Sequence, residues 1–249
     1  MPAAPVLLLD QTDSTNAEAR RRAEAGETGP LWIAARLQTA GRGRRGRNWE
    51  SEGGNLFSTL LHLTRKSPAE AAQVTFVAAL AVADLLGRYA PPSLVTIKWP
   101  NDVMLAGEKA AGVLVESGAH ATGGLWLAVG IGVNLAHAPA ATERPATALA
   151  QHLAADVAAP PGVDVAAREL AQDFAVWMDR WETLGFEPVL DAWRARTPGL
   201  EGPAVARLGH ETIEGRAEGV AADGALRLRL ADGSLRLISA GDVFFGEAA

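Results

Sequence analysis

The stretch that most restricts the fold is SPAEAAQVTFVAALAVADLLGRYA, residues 67–90. Ser67 stands at an N-cap, Pro68 at the first helical position, and Glu70 three residues past the cap, the reciprocal capping-box spacing. Apolar residues then fall on almost every face, so the helix should be largely buried. Pro91 and Pro92 end it. The chain can bury such a helix: 48% of its 249 residues are apolar and 21% charged. That length suits one large domain, or one large and one small.

Other segments supply what surrounds it. PVLLLD (5–10) reads as a short buried strand, and STNAEARRRAEAGE as a helix with Thr15 and Glu18 in capping-box spacing and Gly26 as its stop. LWIAAR (31–36), NLFSTLLHL (55–63) and VTIKWPND (95–102) read as strands, the last running into a proline corner. VMLAGEKAAGVLVES forms a hairpin with 106–108 at its tip, and GLWLAVGIGVNL a strand whose internal glycines mark a close approach. An Ala- and Pro-rich stretch over 138–162 holds a short helix near 147–154. VAARELAQDFAVWMDRWETLGF and EPVLDAWRART are amphipathic helices. After TPGL (197–200) everything reads as strand, with Asp223–Gly224 and Asp232–Gly233 as hairpin signals. The fold class is therefore α+β: a mixed sheet with helices over 1–198, and a small SH3-like β-barrel over 199–249.

Charge is unevenly placed. Lys+Arg total 23 against Asp+Glu 29, a net charge of -6, yet QTAGRGRRGRNWES puts Arg42, Arg44, Arg45 and Arg47 on one glycine-rich loop. Local positive charge in an acidic chain points to a small anion rather than a long polyanion. Gly41, Gly43 and Gly46 let backbone N–H groups approach it, and the guanidinium forks suit phosphate or carboxylate. The spacing is not a Walker A loop, and a solvated basic loop is the plainer alternative. In KWPND, Asn101 and Asp102 follow a strand end; they make a turn or, with Asp102, a Mg²⁺ ligand. Lys109 and Gly112 open the next strand. Ser14, Thr15 and Asn16 start a helix, and capping can occupy only one of them.

Absent features narrow the chemistry. Cysteine is absent, which excludes disulfides, thiolate nucleophiles and Cys-based zinc sites. His62, His120, His137, His152 and His210 show no metal-ligand spacing, and GIGVN lacks a dinucleotide fingerprint. The N-terminal segment has no basic region and only Val6–Leu9 as an apolar run, so a cytoplasmic protein is expected.

Taken in order, DSTNAEA, QTAGRGRRGRNWES, KWPNDVML, KAAGVLVE, GIGVNL and ETIEGRAEGVAADGALRLRLADG resemble the biotin protein ligases over nearly the whole chain. The resemblance implies a two-step reaction. Biotin's carboxylate attacks the α-phosphate of ATP, giving biotinyl-5′-AMP and pyrophosphate. A lysine of a biotin carboxyl carrier protein then takes the biotinyl group and AMP leaves. Under the same resemblance, Arg44 and Lys109 are catalytic, and Lys109 sits between the biotin carboxylate and the phosphate. Ser14, Thr15, Asn16 and Gln38 hold the ureido ring and tail. Gly41, Arg42 and Gly43 border the ligand, Gly112, Gly130 and Gly132 keep the slot narrow, and Trp49 closes as a lid. Arg42, Asn101, Asp102 and Asn134 join Arg44 and Lys109 at the nucleotide, with Asp102 also on Mg²⁺. Arg45 and Arg47 are read as solvated neighbours. The loop is expected to order on binding biotin and ATP.

Because DSTN begins at residue 13, the resemblance further implies a monofunctional ligase without specific DNA binding. Homodimerisation through a sheet edge fits the pattern. A lipoate or octanoate ligase or transferase of the same fold is the nearest alternative; an RNA-binding module is a rival of another class, disfavoured by the acidic charge.

Overall fold

The computed structural model describes residues 3–140 and 145–246. Seven strands form the main sheet: β1 (Val6–Thr12), β2 (Leu31–Gln38), β3 (Leu56–Thr64), β4 (Val95–Lys98), β5 (Asp102–Leu105), β6 (Glu108–Ala119) and β7 (Leu125–Val133). Their order is β1-β2-β3-β7-β6-β5-β4. β1 and β2 run parallel and every other pair is antiparallel. β1 is an edge strand and only half-buried, where its apolar run had predicted a buried one. One neighbour and one covered face suffice for a short apolar edge.

The helices are α1 (Thr15–Glu24), α2 (Pro68–Ala72), α3 (Val74–Gly87), α4 (Val163–Leu184) and α5 (Glu187–Arg194). At Ser67 the capping box forms as expected: its hydroxyl accepts from the Glu70 N–H at 3.3 Å, and the Glu70 carboxylate accepts from the Ser67 N–H at 3.0 Å. The predicted single helix is broken at Gln73, whose side-chain oxygen accepts from Trp181 Nε1 at 3.0 Å. Between Val74 and Leu86 only Thr75 and Asp84 escape burial. Pro68–Gly87 has the length and hydropathy of a membrane span, but here it is the core helix, packed against the sheet and α4. At α1 the predicted Thr15–Glu18 box is absent. Ser14 takes the N-cap position without a side-chain cap bond, and Glu18 instead pairs with Arg21 and Arg22, each at 2.9 Å.

Strand alternation sorts the sheet into two faces. Trp32, Ala34, Leu60, Leu127, Val129 and Ile131 join the core under α3 and α4, where Trp32 meets Phe174 edge-on at 5.3 Å. Ile33, Leu61, Trp126 and Ala128 pack with Ala19 and Ala23 of α1. Continuing along β7 on the α1 face, the side chains shrink to Gly130 and Gly132. A cleft opens there.

The C-terminal strands β8 (Glu201–Arg207), β9 (Thr212–Val220), β10 (Leu226–Arg229), β11 (Leu235–Ile238) and β12 (Asp242–Phe245) make an all-antiparallel sheet ordered β11-β10-β9-β8-β12. Both Asp-Gly sites turn the chain, but only the glycines take positive φ, 89° at Gly224 and 83° at Gly233. The expected hairpins form, each around a three-residue turn closed by Ala221 N–H donating to the Ala225 carbonyl at 2.8 Å and Leu230 N–H to the Ser234 carbonyl at 2.9 Å. The two sheets share one core: Ala204, Leu226 and Leu228 join the cluster of Phe76, Trp99 and Trp193, and Trp99 Nε1 donates to the Gly224 carbonyl at 3.0 Å. In place of the short helix expected near 147–154 there is a single 3-10 turn, Leu149–Gln151, tied to the end of β7 by Leu149 N–H donating to the Asn134 carbonyl at 2.9 Å. Residues 141–144 of the Ala- and Pro-rich stretch lie outside the described residues.

One buried charge between α3 and α4 makes stability depend on pH. Asp173 is 8% exposed, its Oδ1 pairs with Arg88, and its Oδ2 has no hydrogen-bond partner. Burial raises its pKa to about 6, against the pull of Arg88 and with the help of Asp84 and Glu169. The folded state therefore holds this proton more tightly than the unfolded chain, and stability falls as pH rises through the window from about 4 to 6. Asp173→Asn is expected to raise the melting midpoint at pH 8 by about 2–4 °C and to leave it unchanged or lower at pH 4. Thermal melts of both proteins at the two pH values check this.

Candidate active site

The cleft has a volume of about 320 Å³, at the small end for a ligand site. Its floor is the α1 face of β6 and β7. A Cβ at Gly130 would lie 2.8 Å from Asn16 Cγ, and one at Gly132 would lie 2.5 Å from the Trp49 indole. At Gly112 a Cβ would stand 3.1 Å from that ring and 3.3 Å from Lys109 Nζ. The three glycines are thus required by neighbours above the sheet, not by their own backbone angles. Phe57 and Leu114 add apolar wall.

At the α1 end the lining is polar. Ser14, Thr15 and Asn16 are all buried at the helix start, and none caps it. Thr15 donates to Gln38 Oε1 through its backbone N–H at 2.8 Å, and its hydroxyl lies 3.2 Å from the same oxygen. Gln38 Nε2 donates to Ser51 at 3.1 Å. Asn16 Nδ2 donates to Glu116 at 2.8 Å and to the Leu114 carbonyl at 3.3 Å, while Thr59 donates to its Oδ1 at 2.7 Å. The Asn16 amide is therefore absorbed by the protein, whereas the Ser14 hydroxyl has no partner among the described residues. Asp13 anchors this corner with a two-pronged pair to Arg21 at 2.8 and 2.9 Å, which holds its carboxyl below the usual range.

The other end is cationic. Lys109 Nζ lies 2.7 Å from Asp102 Oδ1. Arg44 Nη1 donates to Asn101 Oδ1 at 2.7 Å, and Asn101 Nδ2 donates to the Val113 carbonyl at 2.7 Å. No carboxylate of the described residues ion-pairs with Arg44. Burial pushes its pKa down and Asp102 and Asp242 pull it back, so the guanidinium stays charged but poorly compensated. Asn134 lines the cleft too, its Nδ2 donating to the Thr147 carbonyl at 3.0 Å.

The arginine loop is folded over this floor. Gly43 N–H donates to the Arg47 carbonyl at 2.7 Å and Trp49 N–H to the Gly41 carbonyl at 3.0 Å. Arg42, Gly43, Arg44 and Trp49 all border the cleft. Gly41 does not: it packs behind the loop, where a Cβ would meet Ser51 and the Trp49 carbonyl at 2.5 and 2.6 Å. Arg45 and Arg47 are exposed, as expected, but they are not free of the protein. Both ion-pair with Asp242 of β12, Arg45 at 3.2 Å, and Arg45 also reaches the Arg207 carbonyl at 3.3 Å. The C-terminal sheet thereby holds the outer limb of the loop.

Ser14, Thr15, Asn16, Gln38, Asn101, Asp102, Lys109, Gly112, Gly130, Gly132 and Asn134 come together here from five separate stretches of sequence. Sequence reasoning missed Thr59, Ser51, Glu116 and Asp242. Strand periodicity offered a signal for one of them: Glu116 shares the face of Gly112 and Leu114. No cluster of three or more His, Asp or Glu side chains able to hold a metal occurs among the described residues. Asp102, paired with Lys109, is the carboxylate nearest that end.

Comparison with known proteins agrees with this architecture. The C-terminal residues 205–246 match the biotin protein ligase C terminal domain. A biotin–acetyl-CoA-carboxylase ligase of Paracoccus denitrificans is 45% identical over 246 residues, covering 96% of this chain and the whole of that protein. The bifunctional ligase/repressor BirA of Escherichia coli K12 is 28% identical over 239 residues, 96% of this chain and 73% of BirA. The solved biotin protein ligase from Aquifex aeolicus in complex with biotin and ATP shares the fold, with a TM-score of 0.80 at 22% identity over 97% of this chain and 99% of that one. Residues 8–134, which carry α1, the arginine loop and the glycine floor, match the biotin/lipoate A/B protein ligase family, and the chain belongs to it.

Proposed function

We propose that this protein is a biotin protein ligase that forms biotinyl-5′-AMP from biotin and ATP and passes the biotinyl group to a lysine of a biotin carboxyl carrier protein of acetyl-CoA carboxylase. The observation that carries the reading is the pair of cations, Arg44 and Lys109, at one end of a glycine-floored slot whose other end is polar. The first step joins a carboxylate to the α-phosphate and expels pyrophosphate, so two anions must meet. Preorganised positive charge in a desolvated site lowers that barrier most. Arg44, held by a neutral amide, keeps most of its N–H donors for the phosphate. Lys109 serves as a point charge between carboxylate and phosphate once its hold on Asp102 is shared with them.

Biotin's ureido ring offers two N–H donors and one carbonyl acceptor. Ser14, Thr15 and Gln38 present hydroxyl and amide groups at the matching end. A lipoyl or octanoyl tail offers nothing to Ser14, the one hydroxyl here without a partner among the described residues, and would leave it unpaired. The RNA-binding alternative loses its basis, because Arg42, Arg45 and Arg47 are tied to carboxylates of the protein itself. Mg²⁺ suits the site as a companion of ATP: it needs one or two carboxylates beside phosphate oxygens, and Asp102 can supply one. Trp49 and the loop above the cleft shield the labile anhydride from water. In the second step the neutral lysine amine of the carrier attacks the anhydride carbonyl and AMP leaves with the bonding electrons. Homodimerisation would use the β6 edge beyond Val113, where β5 has ended.

The test is direct. Incubation with ATP, Mg²⁺, biotin and an apo-carrier domain should raise the carrier's mass by one biotinyl group. Labelling by lipoate but not biotin, or no labelling at all, would overturn the reading.

A further inference from the structure

Three of the loop's four arginines are tied to carboxylates, and one of those carboxylates stands on a strand that forms the floor of the site. Glu116 lies on β6, outside the cleft lining. Its Oε2 accepts from Arg42 Nη2 at 3.2 Å and from Asn16 Nδ2 at 2.8 Å. Asn16 in turn takes a hydrogen bond from Thr59 at 2.7 Å, and Thr59 lies 2.8 Å from the Thr15 hydroxyl. Thr15 donates to Gln38 through its backbone N–H, which leaves its hydroxyl proton for Thr59; Gln38 donates to Ser51, and Ser51 to the Trp49 carbonyl at 3.0 Å. A single chain of hydrogen bonds therefore runs under the cleft and ends on the loop at both limbs, Arg42 and Trp49.

The geometry points to Glu116 as a positioning residue for the adenylation site, acting through Arg42 and Asn16. This rests on the ligase reading given above. Arg42 is held at one corner: among the described residues its guanidinium makes no other hydrogen bond. Its remaining donors stay free along the cleft wall. The same carboxylate oxygen fixes which way the Asn16 amide faces, because it accepts only from Nδ2. That leaves Asn16 Oδ1 toward Thr59 and over Gly130. One anionic group on the sheet thus orients both the anion-facing arginine and the polar corner that receives the ligand. The Arg42–Glu116 pair is 39% and 32% exposed at its side chains, so it adds little to global stability. Its effect is local, on the loop and on ligand binding.

The experiment compares wild type with Glu116→Gln and Glu116→Asp. Glutamine keeps the shape, loses the charge and turns an N–H₂ toward one of the two donors. Biotin-dependent exchange of pyrophosphate into ATP is expected to show a KM for biotin raised about tenfold in Glu116→Gln, with kcat changed less than about threefold. Aspartate keeps the charge one methylene short and should recover part of the KM. Limited trypsin digestion without substrates reads the loop alone: cleavage at Arg42–Arg47 should be about tenfold faster in Glu116→Gln at an unchanged melting midpoint. A KM and a cleavage rate equal to wild type would overturn the proposal. So would a fall in kcat at constant KM, or a lowered midpoint that tracks the activity loss. If wild type showed no exchange, the ligase reading would fail, while the trypsin rates would still decide whether Glu116 holds the loop.

Discussion

Arg44→Ala is expected to slow biotinyl-adenylate formation by about 10²- to 10³-fold, roughly 3–4 kcal/mol of transition-state stabilisation. The size follows from placement. The other loop arginines spend their charge on Glu116 or Asp242, but Arg44 meets only the neutral Asn101. A half-buried cation without a carboxylate partner is costly to fold around and pre-paid for an arriving anion. Removing it should leave the folding stability within about 1 kcal/mol of wild type, since the desolvation relief offsets the hydrogen bond lost at Asn101. Arg44→Lys should recover little, because an ammonium on a flexible stem cannot hold both Asn101 and a phosphate oxygen in the planar fork. Single-turnover formation of biotinyl-AMP measures the effect. If the midpoint fell in step with the rate, Arg44 would be a structural residue.

Much of this site was legible in the sequence, for a physical reason. Each motif sits where a strand or helix begins or ends, and each needs unusual residues there. Ser14, Thr15 and Asn16 exceed what one cap can use. Gly130 and Gly132 interrupt a strand at one side-chain spacing, so they mark one face of it. What stayed hidden was long-range pairing. Glu116 lies 74 residues from Arg42, and Asp242 lies 195 from Arg47; an ordinary carboxylate on a strand does not announce its partner. The same limit explains the fold's small departures. Thr15 and Glu18 have capping-box spacing, but Gln38 claims Thr15 and two arginines claim Glu18. Gln73 reads as helix interior, yet Trp181 waits for it across the core. Arg45 and Arg47 looked solvated because nothing local pairs with them. Their partner arrives only when the C-terminal sheet docks.

Gly132→Ala is expected to abolish measurable biotin binding, raising the dissociation constant at least about 100-fold, while the protein stays as stable as wild type or gains about 0.5 kcal/mol. The backbone at Gly132 is ordinary strand, so alanine fits its angles and reduces the freedom of the unfolded chain. The methyl group instead has nowhere to go above the sheet. It would stand 2.5–2.7 Å from Trp49 Cε2, Cζ2 and Nε1, and the indole must lift. Lifting Trp49 removes the roof from the slot and draws on the loop that carries Arg44. Titration calorimetry with biotin reads the loss, and a thermal melt reads the stability. Gly118→Ala supplies the contrast on β6: its methyl group would meet Trp126 at 2.7–2.8 Å, inside the packing against α1 and away from the cleft. That variant should melt lower and bind biotin normally. Were the two variants to behave alike, the glycines would serve sheet packing, and the floor of the ligand slot would have to lie elsewhere.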